Sequence, residues 1–143
     1  MQNMSKIAVV YWSGTGNTEM MANAVADGAK AKGAEAVLLT PTEFDPSMMD
    51  DFEAVAFGCP AMGAEVLEES EFEPMFGAVE SKLDGKKIGL FGSYGWGDGE
   101  LMRNWEATCK DDGANLIGEP VICCEVPDDD AMNACRELGG ALV

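Results

Sequence analysis

A doubly wound α/β domain, with five parallel strands and helices on both faces, is the fold the sequence predicts. Three observations predict it. Apolar strand-like runs alternate with helix-like stretches along the whole chain. The runs are continuously apolar, as in strands buried on both faces. The connections between them are short, which favours successive right-handed β/α units in one sheet. At 143 residues the chain is long enough for one well-buried core, so a single domain over 1–143 is expected.

The elements follow in order. Ile7–Trp12 reads as the first strand, and a helix is expected over about Thr18–Lys32. That helix carries Met20, Met21, Ala24, Val25 and Ala29 at helical spacing, with Gly33 as its C′ residue. Its methionine pair and alanines read as core and sheet contacts. Ala36–Leu39 is the second strand, and Thr40–Asp51, the least regular stretch, reads as a surface connection. Ala54–Gly58 gives the third strand and about Phe72–Leu83 the second helix. The fourth strand is Ile88–Phe91, followed by a helix over about Leu101–Asp112. Pro120–Cys123 is the fifth strand and about Asp128–Leu142 the last helix. No repeat, linker or low-complexity segment interrupts this alternation.

Composition removes several classes of function. Nine basic residues against twenty-six acidic ones give a net charge of −17, a field that repels nucleic acid and anionic membranes and attracts basic protein surfaces. There is no histidine, hence no imidazole base or metal ligand. No apolar run approaches the ~18 residues of a membrane span. The start, Met1 to Lys6, lacks the regions of a signal peptide, so a cytoplasmic protein is expected. The cysteines, at 59, 109, 123, 124 and 135, form no C-x-x-C pair, so no zinc ribbon, iron–sulfur cluster or thioredoxin-type pair is indicated. Cys59 and Cys123 fall in or beside apolar runs and read as small buried hydrophobes.

The chemistry is concentrated at the carboxyl ends of three strands, where doubly wound sheets bind ligands. Ser13-Gly14-Thr15-Gly16-Asn17-Thr18 lies between the first strand and the first helix. Its glycines allow a tight turn and close approach, while its hydroxyls, its amide and the helix N-terminus behind it make an anion cradle, best suited to a phosphate. It is not a P-loop, since Asn17 stands where the lysine would be, and not a dinucleotide fingerprint, since Glu19 replaces the third glycine. An ordinary capped βα turn is the plainer alternative. The second loop is Cys59-Pro60-Ala61-Met62-Gly63-Ala64-Glu65, and the third is Gly92-Ser93-Tyr94-Gly95-Trp96-Gly97-Asp98-Gly99. Each has a reading as a simple turn, but together they suit a ligand with a phosphate at one end and a flat aromatic body at the other.

Tyr11–Thr18 together with Gly58–Gly63 and Gly89–Gly97 resembles the short-chain flavodoxins, over essentially the whole chain. With about ten residues between Asn115 and Pro127, there is no room for the long fifth-strand insertion of the long-chain members. The resemblance implies a flavodoxin-like fold and a monomeric, low-potential one-electron carrier that is not an enzyme, holding non-covalent FMN that cycles between semiquinone and hydroquinone. It implies that Ser13, Gly14, Thr15, Gly16, Asn17 and Thr18 enclose the FMN phosphate, with Ser93 adding a hydroxyl. Trp96 covers one face of the ring and Met62 packs on the other. Glu65 accepts from the ring N3–H, and backbone N–H groups near Trp96 and Gly97 meet the pyrimidine end. Pro60, Ala61, Tyr94 and Gly95 complete the implied cofactor-binding set, with no metal. The Gly63–Ala64 peptide is implied to reverse on reduction and accept a hydrogen bond from N5–H. Some relatives have an acidic residue or Asn where this chain has Ala64, a hydroxyl residue at Pro60 and Asn near Cys124.

Electron-transfer partners with basic surfaces are implied, attracted by acids on or beside the loops such as Glu65, Glu68, Glu69, Asp98 and Glu100. A carboxylate ~10 Å from the ring at an effective dielectric of about 20 opposes a further negative charge by roughly 1.7 kcal/mol. Glu65, Asp98 and Glu125 are the candidates for that effect. The rival readings are a small FMN-dependent NAD(P)H:quinone reductase and a phosphoacceptor module of the same topology. The first lacks a basic pocket for dinucleotide phosphates. The second needs acids where Tyr11-Trp12 and Gly58-Cys59 stand, and a phosphatase reading of Cys59 fails because Glu65 occupies the position of the phosphate-binding arginine.

Overall fold

The computed structural model describes residues 6–12, 16–59, 71–94, 100–118, 120–124 and 127–143. Their strands are β1 (Lys6–Tyr11), β2 (Glu35–Leu39), β3 (Ala54–Gly58), β4 (Lys87–Tyr94), β5 (Asn115–Leu116) and β6 (Val121–Cys124). Their helices are α1 (Asn17–Ala31), α2 (Phe72–Val79), α3 (Glu100–Asp111) and α4 (Asp129–Ala141). All pairings are parallel, in the order β2-β1-β3-β4-β5, with β6 also on β4. β5 lies against Lys87 and Ile88 and β6 against Phe91–Tyr94, so the two short pieces share the fifth position of the sheet. The expected five-stranded parallel sheet is present, with its last strand split around residues 117–120.

Burial follows the apolar runs. All five residues of β3 are buried, whereas edge strand β2 is at best half-buried. The two faces carry different cores. Against α2 and α3 lies an aromatic core, in which Phe57 meets Phe72 and Phe76 edge-on at 6.4 and 5.2 Å, and Trp105 meets the same two rings at 5.4 and 5.5 Å. Trp105 Nε1 is buried there and has no hydrogen-bond partner among the described residues. Against α1 and α4 lies a core of small side chains, with Ala22, Ala24, Ala26, Ala29 and Val25 facing Cys135, Leu138 and Leu142. Small residues let these helices close tightly. A Cβ added to Gly28 would sit 1.9 Å from the Arg136 carbonyl oxygen, and one added to Gly139 would sit 1.9 Å from that of Val25.

Several expectations need correction. Thr40–Asp51 is not merely a surface connection. It forms two short 3-10 turns, Pro41–Glu43 and Pro46–Asp51, that put Pro41, Phe44 and Met49 inside. Alternation of buried and exposed residues in a 3-10 turn gives no helical period to read. Lys86 donates from Nζ to the Met49 and Phe52 carbonyls, tying the second turn to the sheet. Met20 is 42% exposed, so only Met21 of that pair is core. α2 ends at Val79 and tightens to a 3-10 turn over Glu80–Lys82. Gly33 does end the first helix as expected: with φ 90°, its N–H donates to Lys30 and that of Ala34 to Ala29.

At the amino end of the sheet, burial raises the Glu80 pKa above the usual glutamate value, and the neighbouring Asp112 carboxylate adds to the rise. A raised folded-state pKa supports folding below the unfolded value and loses that support as pH rises through the folded one. Glu80→Gln keeps a donor toward Asp112 and removes the repulsion. Its Tm should exceed that of the parent at pH 7.5, with the gap shrinking toward pH 4.5. A gap that stays constant across this range in thermal melts would contradict the charge repulsion between Glu80 and Asp112.

Candidate functional site

The carboxyl ends of β1, β3 and β4 are level and laced together. Tyr11 pairs with Gly58 and Gly58 with Phe91 in the ladder. Beyond the regular strands the Trp12 N–H donates to the Gly58 carbonyl at 3.1 Å, and the Cys59 N–H to that of Phe91 at 3.2 Å. Gly58 and Gly92 make this closeness possible. Side chains there would drive a Cβ to 2.1 Å from the Phe91 ring and 2.2 Å from the Cys59 carbonyl oxygen. The chain leaves β1 for β2 on one side and returns to β3 on the other, so the sheet's switch point falls between β1 and β3.

At that point α1 begins. Its N-cap is Gly16 in the left-handed region, φ 94°, where a side chain would be strained although space is open. Gly16 carries no side chain with which to cap the helix, so Gly16, Asn17 and Thr18 bring a glycine-led N-terminus to the end of β1. Thr18 is the one polar residue among the buried ones described, 1% exposed. A glycine-led helix start at the switch point fits a phosphate and needs no cation. Burial raises the Tyr11 pKa, helped by the charges of Glu19 and Glu43, so the residue before the cradle stays neutral in a negative neighbourhood.

The other predicted site residues are only partly described. Ser93 and Tyr94 are the last two residues of β4, not of a loop, because that strand runs on past Phe91 to pair with β6. Ser13, Gly14 and Thr15 lie outside the described residues, as do Pro60, Ala61, Met62, Gly63, Ala64 and Glu65, and Gly95, Trp96 and Gly97. One tie had no signal in the sequence: Trp12 Nε1 donates to Glu71 Oε2 at 2.9 Å, across 59 residues. It fastens the end of β1 to the residue that starts α2, so the chain before the phosphate cradle and the chain after the second loop share an anchor. Cys59 is buried as expected, whereas Cys123 is only half-buried.

Topology and switch point define a doubly wound single-sheet α/β protein, a class whose ligands lie at the carboxyl ends of the strands. The flavodoxin family model matches residues 9–139. The chain is 46% identical to the flavodoxin of Megasphaera elsdenii over 138 residues, covering 94% of this chain and 96% of that one. It is 43% identical to the flavodoxin of Clostridium beijerinckii, covering 92% and 94%. The solution structure of two-electron reduced Megasphaera elsdenii flavodoxin superposes with a TM-score of 0.87, covering 95% of this chain and 97% of that one. This chain belongs to the flavodoxin family. It is an FMN-binding electron carrier that works with redox partner proteins and is not an enzyme; the reductase alternative is not favoured. No helix among the described residues is long and apolar enough to cross a membrane.

Proposed function

We propose that the chain, as one domain over 1–143, is a monomeric, low-potential cytoplasmic carrier. It grips the FMN phosphate with Ser13–Thr18 and the ring with Pro60–Glu65 and Ser93–Gly97. The observation that carries this reading is the glycine-led start of α1, with buried Thr18 in its first turn, beside the joined ends of β1, β3 and β4. Bound FMN supplies the redox chemistry, accepting and returning electrons one at a time. Gly16, Asn17 and Thr18 neutralise phosphate charge with N–H and O–H donors, and the Trp12–Glu71 bond holds the neighbouring chain in place. Glycine at 63 suits a peptide that must adopt two turn conformers, one with φ above zero.

The −17 charge supports basic-surfaced partners and opposes self-association. Stopped-flow electron transfer from the reduced protein to a small basic haem protein tests this. The second-order rate should fall roughly tenfold or more as ionic strength rises from ~0.01 to ~0.5 M and the Debye length shrinks from about 30 Å to a few ångströms. A rate that ignores salt, or climbs with it, would remove the electrostatic recognition.

A further inference from the structure

An open groove of about 850 Å³ runs between β6 and α4. Val121 and Cys123 line it from the strand, and one face of α4 lines it from the other side. That face repeats at helical spacing through Ala131, Ala134, Leu138 and Ala141. Three of the four are alanines, so the helix offers methyl groups where larger side chains would fill the space. The strand wall is anchored, because Val121 and Cys123 pack against the small-residue core and the Cys123 thiol donates to Met21 Sδ at 3.6 Å. Ile122, between them, is 40% exposed at the lip. Asp128, Asp130 and Glu137 ring the groove, all three exposed, and no lysine or arginine lines it. Asp128 is held as the N-cap of α4, accepting from the Ala131 N–H at 2.8 Å. This is not merely the acidity of the whole surface. On the other flank of α4 a groove of about 470 Å³ against α1 is lined by Lys32 and Arg136 as well as Asp27 and Glu137. The acidic groove also opens toward the carboxyl end of the sheet, since Cys123 and Cys124 pair with Ser93 and Tyr94 and α4 begins just beyond.

We propose that this groove docks a basic segment of the redox partner, with an apolar side chain over the alanine face and lysine or arginine on the rim acids. The proposal rests on the reading of the chain as a carrier for basic-surfaced partners, and adds where on its surface they bind. An apolar floor ringed by charge of one sign suits a cationic segment, whose aliphatic stems lie on the alanines while the charged heads reach the carboxylates. A second copy of this chain is the wrong occupant, because it would bring another charge of −17 to an acidic rim. A segment held along the sheet edge leaves the carboxyl ends of the central strands uncovered, so the partner can bring its own redox centre there. Transient redox complexes bury less than about 1,200 Å² in total, and one groove with its rim is a sufficient anchor for a contact of that size.

The test uses the FMN-loaded protein, with cytochrome c as a small basic probe. Reduced cytochrome c and the oxidised, 15N-labelled parent exchange no electrons, and this pair should shift the amide resonances of Val121–Cys123, Ala131, Ala134 and Ala141. That map does not depend on how any variant folds. In stopped flow with oxidised cytochrome c, the double variant Asp130→Asn/Glu137→Gln and the groove-filling Ala134→Phe should each slow the second-order rate by roughly threefold to tenfold. The charge-matched Glu35→Gln/Glu53→Gln, altered beside the amino ends of β2 and β3, should change it by less than about twofold. Both flavin potentials should match the parent in all of these, which separates docking from tuning of the cofactor. Amide shifts confined to other surfaces, or groove variants as fast as the charge-matched control, would overturn the groove while a salt-dependent parent rate still upheld basic partners. A parent rate that ignored salt would remove that reading and the groove with it. A dimer in sedimentation that Ala134→Phe dissolves would assign the groove to a second copy, and would overturn the proposal as well.

Discussion

Gly139→Ala should unfold this protein at a temperature roughly 10 °C or more below the parent, a loss of about 3 kcal/mol or more. By intrinsic propensity alone the substitution should stabilise α4, since alanine is favoured over glycine inside a helix by about 1 kcal/mol. Packing reverses the sign. The new methyl carbon would stand 1.9 Å from the Val25 carbonyl oxygen and 3.0 Å from the Ala29 nitrogen, both main-chain atoms that no rotamer change can move. α1 and α4 must separate, opening the core between them. Gly77 provides the control, being exposed in α2 with nothing within 4 Å of its would-be Cβ. There Gly77→Ala should raise stability by about 1 kcal/mol. Thermal melts giving both substitutions the same sign would show that the helix contact is looser than described.

The second large effect concerns the ligand's tail. FMN should bind the apoprotein roughly a thousandfold more tightly than riboflavin, the yield of two charge-assisted hydrogen bonds at about 2 kcal/mol each. Thr18→Ala should weaken FMN by about 1–3 kcal/mol, the cost of leaving a charged acceptor without its donor. Thr18→Ser keeps the hydroxyl and should recover most of that loss. Riboflavin affinity should respond little to either substitution. Quenching of flavin fluorescence on titration measures all of these constants. Equal dissociation constants for the two flavins would remove the phosphate cradle from the site.

Much of this was legible in the chain because buried parallel strands announce themselves. Ala54–Gly58, apolar at every position, could hardly be anything else, and the observed strand has those bounds. The turn into α1 was legible in part: Gly16, expected to allow a tight turn, stands at φ 94° directly before the helix start. The end of β4 was not. Gly92 and Ser93 look like turn residues, yet they continue the strand because β6 pairs with them, a partner chosen by residues about 30 positions away. For the same reason Asn115–Leu116 escaped notice: two residues carry no period, and only their pairing with Lys87 and Ile88 makes them a strand. The Trp12–Glu71 bond and the Met21–Cys123 contact are likewise products of tertiary approach, invisible to spacing.

The tight seam between α1 and α4 also bears on the order in which a tailed ligand arrives. The N–H groups at the start of α1 owe their direction to the helix, and the helix owes its seat to Gly28 and Gly139, far along the chain from the cradle. The start of α1 from Gly16 to Thr18 is therefore seated by the fold itself. A ligand caught first by its phosphate keeps its ring on a short tether, at an effective concentration on the order of millimolar, so the ring's docking becomes an intramolecular search. Association would then run in two stages, with inorganic phosphate expected to compete only for the first.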